Sequence, residues 1–225
     1  MLLIFDLDDT LVQTSETLTP YLLENALRAM RLKGLFVPDL IKAIEEIKQL
    51  DRQTQSSRET LSLFLKRNGN QHQFFDIGIR EIRENTSFTP SFLEMEKAQE
   101  ILENLRLTHT LSLVSVGNWE RQYAKMEKAG IDSTVFSKII ICNEGQKGPH
   151  YQEIVDSFGF TPKAVLVCGD RIESDLAPAK ALGYHTVRLC RGRGANDIED
   201  PTKVDTTIYR LEELKAVIDR LSKIS

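Results

Sequence analysis

An alternation is the strictest constraint on this chain. Between residues 95 and 189, segments with helical spacing of apolar residues take turns with short runs that are almost wholly apolar. A segment with Met95, Ala98, Ile101, Leu102 and Leu105 leads into the run 111–115, and one around Tyr123 and Met126 ends at Gly130 before the run 138–142. A third, around Ile154, Val155 and Phe158, ends at Gly159 before 164–169, and a fourth, around Leu176 and Ala179, ends at Gly183 before 185–189. Continuous apolar runs belong to strands buried on both faces, and the helices between them cover those faces, so the pattern predicts an α/β fold with a doubly wound parallel sheet. The opening run Met1-Leu-Leu-Ile-Phe reads as a further strand of that sheet. Residues 206–209 read as a short last strand, followed by an amphipathic helix with Leu211, Leu214, Ile218 and Leu221.

After the first strand the periodicity stays helical for some seventy residues. Leu18, Leu22, Ala26 and Ala29 share one face, Leu40, Ile44 and Ile47 another, and Phe75, Ile79 and Ile82 a third, while Leu61, Phe64 and Leu65 suit a further short helix. Pro38 and Asn68-Gly69-Asn70 punctuate these segments. Because crossover helices occupy the sheet faces, a helical insert with apolar faces of its own must pack as a second, smaller domain. The chain returns to the alternating region near Thr89, a helix N-cap by residue type, and Pro90, which suits a first helical position.

The first strand ends in Asp6-Leu-Asp8-Asp9-Thr10-Leu11, which brings carboxylates to the crevice beyond the strand ends, where open α/β sheets bind ligands. Clustered anions repel unless a cation lies among them, and hard oxygen ligands suit magnesium, above all a magnesium that also touches a substrate phosphate. A net charge of −4 and the absence of a Lys/Arg block argue against nucleic acid or an anionic membrane as partner and point to a small solute. No run approaches the roughly 20 apolar residues of a membrane span, and the amino terminus turns acidic at Asp6, so a cytoplasmic protein is expected. Cys142, Cys168 and Cys190 are widely spaced and lack a Cys-x-x-Cys pattern; they read as small buried residues in a reducing compartment.

Asp6-x-Asp8-x-Thr10 at a strand end resembles the first motif of the haloacid dehalogenase-like superfamily, most of whose members are phosphatases, and three further motifs follow in order. The second strand closes on Ser115, followed by Val116-Gly117-Asn118, similar to the family's second motif. Lys147, in Lys147-Gly148-Pro149, stands where the family places its lysine after the third strand, with Lys138 as the competing position. Gly169-Asp170, with Asp175 further on, resembles the fourth motif. The resemblance covers nearly the whole chain apart from the insert. It implies a Rossmann-like catalytic core over 1–14 and 87–225 and a helical cap domain over 15–86.

The resemblance also implies roles. Asp6 is the nucleophile that becomes an aspartyl phosphate, and Asp8 protonates the leaving alcohol and then activates water. The Ser115 hydroxyl, the Val116 N–H and the Lys147 ammonium bind phosphoryl oxygens, while Mg2+ is held by Asp6, the Asp8 backbone carbonyl, Asp170 and Asp175. The implied activity is magnesium-dependent hydrolysis of a small phosphorylated metabolite. A haloacid dehalogenase has no second acid at the Asp8 position, because no alcohol leaves. A sugar phosphomutase of the same superfamily shares all four motifs, and a non-catalytic phosphometabolite-binding module is the reading from another class; oligomeric state is not encoded in these motifs.

The remaining polar residues have plainer readings. Asp9 is turn chemistry, Thr10 braces its loop through the hydroxyl, and His150 is solvated or structural. Trp119 and Arg121 are rim positions. Arg52 and Arg58 lie in a polar stretch between cap helices that reads as a solvated loop, although either can meet a charged substrate tail. The run Arg191-Gly-Arg-Gly194 also reads as a solvated loop.

Overall fold

The computed structural model describes residues 1–88, 95–142 and 146–222. Six parallel strands form one sheet: β1 (Leu2–Phe5), β2 (Thr110–Val116), β3 (Lys138–Cys142), β4 (Val165–Gly169), β5 (His185–Leu189) and β6 (Thr206–Ile208), in the order β3-β2-β1-β4-β5-β6. Every neighbouring pair is parallel, with Leu3 opposite both Leu111 and Leu166. The chain therefore winds outward through β2 and β3, then crosses back to lay β4 on the other side of β1. In such sheets the reversal of winding opens a crevice at the carboxyl ends of the two central strands. Here those ends carry Asp6 and Asp170.

The doubly wound parallel sheet expected from the alternation is present. Leu2 and Ile4 pack on one side with Val165, Val167, Tyr151, Ile154 and Leu176, while Leu3 and Phe5, which point to the other side, are equally buried. The crossover helices are α5 (Ala98–Arg106), α6 (Trp119–Lys128), α7 (Gly148–Phe158) and the short α8 (Ala177–Ala181), with α9 (Leu214–Leu221) closing the chain. Helix α5 starts after Met95, because Lys97 adopts a left-handed conformation just ahead of it. Thr89 and Pro90 lie outside the described residues.

The chain divides into two compact units, Met1–Gln13 with Leu93–Ser225, and Thr14–Phe92. The second unit contains α1 (Thr19–Leu32), α2 (Leu40–Asp51), α3 (Ser57–Arg67) and α4 (Phe75–Glu84). The Asp39 side chain caps α2 by accepting from the Ile41 and Lys42 amides, and Ser56 caps α3 through the Glu59 amide. The inward face of α2 differs from the expected one: Ala43, Ile47 and Leu50 are buried, whereas Leu40 and Ile44 are only half-buried. The true stripe steps by four and three residues from Ala43, a small residue easily passed over in reading a face. On α1, Ala29 likewise sits at the edge of the buried face formed by Leu22, Leu23, Ala26, Leu27 and Met30. On α4, Ile82 is buried but Phe75 and Ile79 are half-buried, and Phe75 lies under the Arg58 guanidinium at 5.0 Å. Arg52 is exposed.

Helix α4 packs through a glycine. A Cβ built on Gly78 would stand 2.7 Å from Leu61 Cδ2 and 3.0 Å from Met30 Sδ, so the three helices close on a space that has no room for a side chain. Overpacking of this kind typically costs about 1–3 kcal/mol. Gly78→Val should therefore lower the free energy of unfolding, read from urea denaturation, by an amount in that range. An unchanged or higher value would show that α4 can shift away freely.

Candidate active site

All four strand-end motifs converge within the sheet unit. Asp6 continues β1 beyond its last residue, and its amide donates to the Cys168 carbonyl at 2.9 Å, which locks it against β4. Asp170 follows the end of β4, and a single π-helical turn, Ile172–Leu176, then folds back and returns Asp175 to the strand end. That return needs Gly169: a Cβ there would lie 2.7 Å from Asp175 Cβ and 2.8 Å from its Oδ2. Asp175 Oδ2 accepts from the Arg171 amide at 2.9 Å, and Oδ1 accepts from the Ser174 hydroxyl at 3.1 Å. Carboxylate oxygens of Asp6, Asp170 and Asp175 lie within 4.8 Å of one another, and all three residues are buried.

Lys147 lies among these acids. Its Nζ is 2.5 Å from Asp6 Oδ1 and 2.8 Å from Asp175 Oδ1, although its side chain is only 4 % exposed. Lys147 is the residue before α7, whose first helical positions are Gly148 and Pro149. Lys138 is elsewhere, paired at 2.9 Å with Glu153.

The electrostatics follow from three buried acids sharing one ammonium. Burial raises the Asp6 carboxyl to about 7, with Asp175 and Asp8 adding to the rise and Lys147 opposing it. Burial, then Asp175 and Asp6, push Asp170 well above the usual carboxylate range. Burial alone would lower the Lys147 ammonium, yet Asp175 and Asp6 more than reverse it and hold the group protonated. The excess of negative charge, presented by hard oxygen donors in a confined space, fits a divalent cation of the magnesium type.

Ser115 and Val116 close β2. The Ser115 hydroxyl is buried and accepts from Gln122 Nε2 at 2.7 Å. The same amide reaches Asp8 Oδ2 at 2.9 Å, and Lys125 Nζ reaches Asp8 Oδ1 at 2.6 Å. The Asp8 carboxylate is thus held by α6.

Several residues differ from their sequence reading. Arg121 is no rim residue: it is buried, its Nη1 has no hydrogen-bond partner among the described residues, and burial lowers its pKa while Asp8 opposes the shift. Arg121 belongs to the inner stripe of α6 with Gln122, Lys125 and Met126. Trp119 is 57 % exposed and packs on Tyr123, with ring centroids 4.3 Å apart. Thr10 is buried and its hydroxyl has no partner among the described residues, so the loop is braced by backbone bonds instead, Leu11 and Val12 donating to the Leu7 carbonyl. Cys142 and Cys168 are buried, but Cys190 is only partly so. His150 is a surface residue 3.9 Å from Glu153.

The run after β5 is no solvated loop. It forms a short 3-10 turn, Gly192–Asn196, pressed onto the site. A Cβ on Gly194 would stand 2.3 Å from the Asp170 carbonyl oxygen, and one on Gly192 2.3 Å from Asp9 Cγ. Arg188, buried at the end of β5, fixes the turn by donating to the carbonyls of Gly194 at 2.6 Å and Asp197 at 3.0 Å. Polar residues at inward positions are the signal that could have exposed both groups: Gln122 and Lys125 interrupt the apolar stripe of α6, and Arg188 interrupts β5.

The sequence matches the model of the haloacid dehalogenase-like hydrolases over residues 1–183. The chain is 29% identical to a glyceraldehyde 3-phosphate phosphatase of Pyrococcus furiosus, over 96% of this chain and 92% of the relative. It is 31% identical to the protein of the same name from Pyrococcus abyssi, over 84% of this chain and 81% of the relative. Its fold matches a magnesium-bound HAD-hydrolase structure from Bacillus subtilis with a TM-score of 0.65, covering 96% of this chain and 97% of that one at 18% identity. The motifs, the sheet order and the family match agree, and this chain belongs to the haloacid dehalogenase-like hydrolase family.

Proposed function

We propose that this hydrolase is a phosphatase that cleaves a small phosphomonoester through a phosphorylated Asp6. The observation that carries the reading is Lys147 held between Asp6 and Asp175 at the switch point of the sheet. Asp6 attacks phosphorus in line, its new O–P bond forming as the bond to the leaving oxygen breaks, and Asp8 gives its proton to that oxygen. In the second half Asp8 takes a proton from water, which attacks the same phosphorus and releases inorganic phosphate and free Asp6. Lys147 offsets charge on the phosphoryl oxygens, and the Ser115 hydroxyl and Val116 N–H bind two of them.

Asp6, Asp170, Asp175 and the Asp8 backbone carbonyl would hold magnesium. When bound, the ion would offset the repulsion between these acids and a phosphate dianion. The magnesium bound in the Bacillus subtilis structure supports this reading. The names of the two Pyrococcus relatives support a phosphorylated three-carbon aldehyde as the first substrate to try. In this reading the Thr14–Phe92 unit is the cap that selects among such metabolites.

Purified protein should hydrolyse p-nitrophenyl phosphate and glyceraldehyde 3-phosphate with magnesium and lose that activity to a chelator. Protein that binds such compounds but turns over none would support the binding-module reading instead. Lys147→Ala should reduce turnover by about 10²–10³, the cost typical of removing a transition-state charge donor. Lys138→Ala removes only a partly exposed ion pair and should leave turnover within about threefold; the reverse pattern would exclude Lys147 from the phosphate site.

The acid cluster also makes metal-free stability depend on pH. A carboxyl whose pKa is raised by folding contributes stability at low pH and loses it as pH rises through its folded value, about 7 for Asp6. The Tm of metal-free protein should fall between about pH 5 and pH 7, and magnesium should raise it more at the upper end. A metal-free Tm that rises over that window, or one indifferent to magnesium, would contradict the charge assignment.

A further inference from the structure

Asp8 is held in an unusual way for a proton carrier. Both of its carboxylate oxygens accept hydrogen bonds from one helix, Oδ1 from Lys125 at 2.6 Å and Oδ2 from Gln122 at 2.9 Å. The two donors are three residues apart on α6, and both are buried, Gln122 at 1% and Lys125 at 5% exposure. Neither position is explained by packing. An apolar residue would fill the inner stripe of a crossover helix without desolvating an ammonium, and a buried charge is retained only where a partner compensates it. Gln122 has a second bond, from the same Nε2 to the Ser115 hydroxyl at 2.7 Å. The helix is itself pinned at its start, where Asn118 Oδ1 accepts from the Arg121 amide at 3.0 Å. A fixed relay therefore runs from the end of β2, through the first turns of α6, to both oxygens of Asp8.

We propose that Lys125 and Gln122 are positioning residues that set the orientation of Asp8 toward the leaving oxygen, and that Gln122 ties this orientation to the phosphate-binding hydroxyl of Ser115. The inference rests on the phosphatase reading, with Asp8 as the proton carrier. The Asp8 side chain keeps 29% of its surface exposed, so the grip from α6 leaves it accessible to a leaving group. Misplacement of a reacting group by about 1 Å costs on the order of 10² in rate. Proton donation matters most for poor leaving groups. In the first half-reaction, loss of the grip should therefore register with an alkyl phosphate, whose alkoxide needs a proton, and much less with p-nitrophenyl phosphate, whose phenolate does not.

The test compares the rate of phosphoenzyme formation from both substrates, by rapid acid quench, in magnesium-loaded wild type and in Lys125→Met, Lys125→Arg and Gln122→Leu. Lys125→Met should slow phosphoenzyme formation from the alkyl phosphate about 10²-fold, while phosphoenzyme formation from p-nitrophenyl phosphate slows no more than about threefold; the water-activating half, common to both substrates, slows alike for the two. Lys125→Arg, which keeps a charged donor, should recover at least about a tenth of the wild-type alkyl rate. Gln122→Leu should slow phosphoenzyme formation from the alkyl phosphate in the same way and also raise the half-saturating concentration of both substrates, because Ser115 loses its partner. A merely structural role would depress both substrates alike. Equal losses on the two substrates, or no loss on either, in both Lys125→Met and Gln122→Leu would overturn the inference while leaving the phosphatase reading intact. Wild-type protein inactive on both substrates would overturn that reading and this inference with it.

Discussion

The site depends on one buried ammonium surrounded by carboxylates. Lys147 contacts Asp6 and Asp175, and without it three acids at the end of two central strands would face each other across a few ångströms of low-dielectric interior. Removing one partner from a buried ionic cluster typically costs about 3–5 kcal/mol, because the charges left behind are no longer compensated. A single positive charge does not balance the cluster, and the raised pKa of Asp6 and Asp170 expresses the remainder. A second cation placed there during function would complete the balance.

Much of the surrounding structure supports that cluster. The β1/β4 junction supplies the crevice, and Gly169 removes the side chain that would block Asp175 from turning back over the strand end. Behind Asp170, the turn from Gly192 to Asn196 packs so closely that Gly194 has no space for a Cβ, and Arg188 anchors that turn from the next strand. Asp197 links the same turn to the opposite side by accepting from the Ile172 amide at 3.0 Å. On the other flank α6 carries the residues that face Asp8. Acids that repel one another keep their positions because rigid neighbours on both flanks leave them no alternative.

The fold was readable because its signal is repeated. Each crossover presents a helix of apolar period near 3.6 and then a short apolar strand, and Gly130, Gly159 and Gly183 end the helices where the periodicity stops. Asp6 and Asp170 were readable because each follows the last residue of a strand, and Asp175 because it follows the Gly169-Asp170 pair. What escaped was contact between parts distant in sequence. Gln122 and Lys125 acquire their meaning only when α6 lies beside Asp8, more than a hundred positions earlier. The glycines after β5 looked like solvent loop because nothing local reveals that Asp170 lies beneath them. Arg121, just beyond Ser115 in sequence, reads as a rim residue, and only its place on the inner stripe of α6 reveals its burial.

The central claim is that Asp6 carries the phosphoryl group between the two half-reactions. It is tested most directly by acid-quenching the magnesium-loaded enzyme during turnover of p-nitrophenyl phosphate, reducing the trapped acyl phosphate with borohydride, and locating the modified residue by peptide mass spectrometry. The account predicts a single modified aspartate, Asp6, that is absent from Asp6→Asn protein. Phosphate on any other residue, or an Asp6→Asn variant that still turns over the substrate, would contradict it.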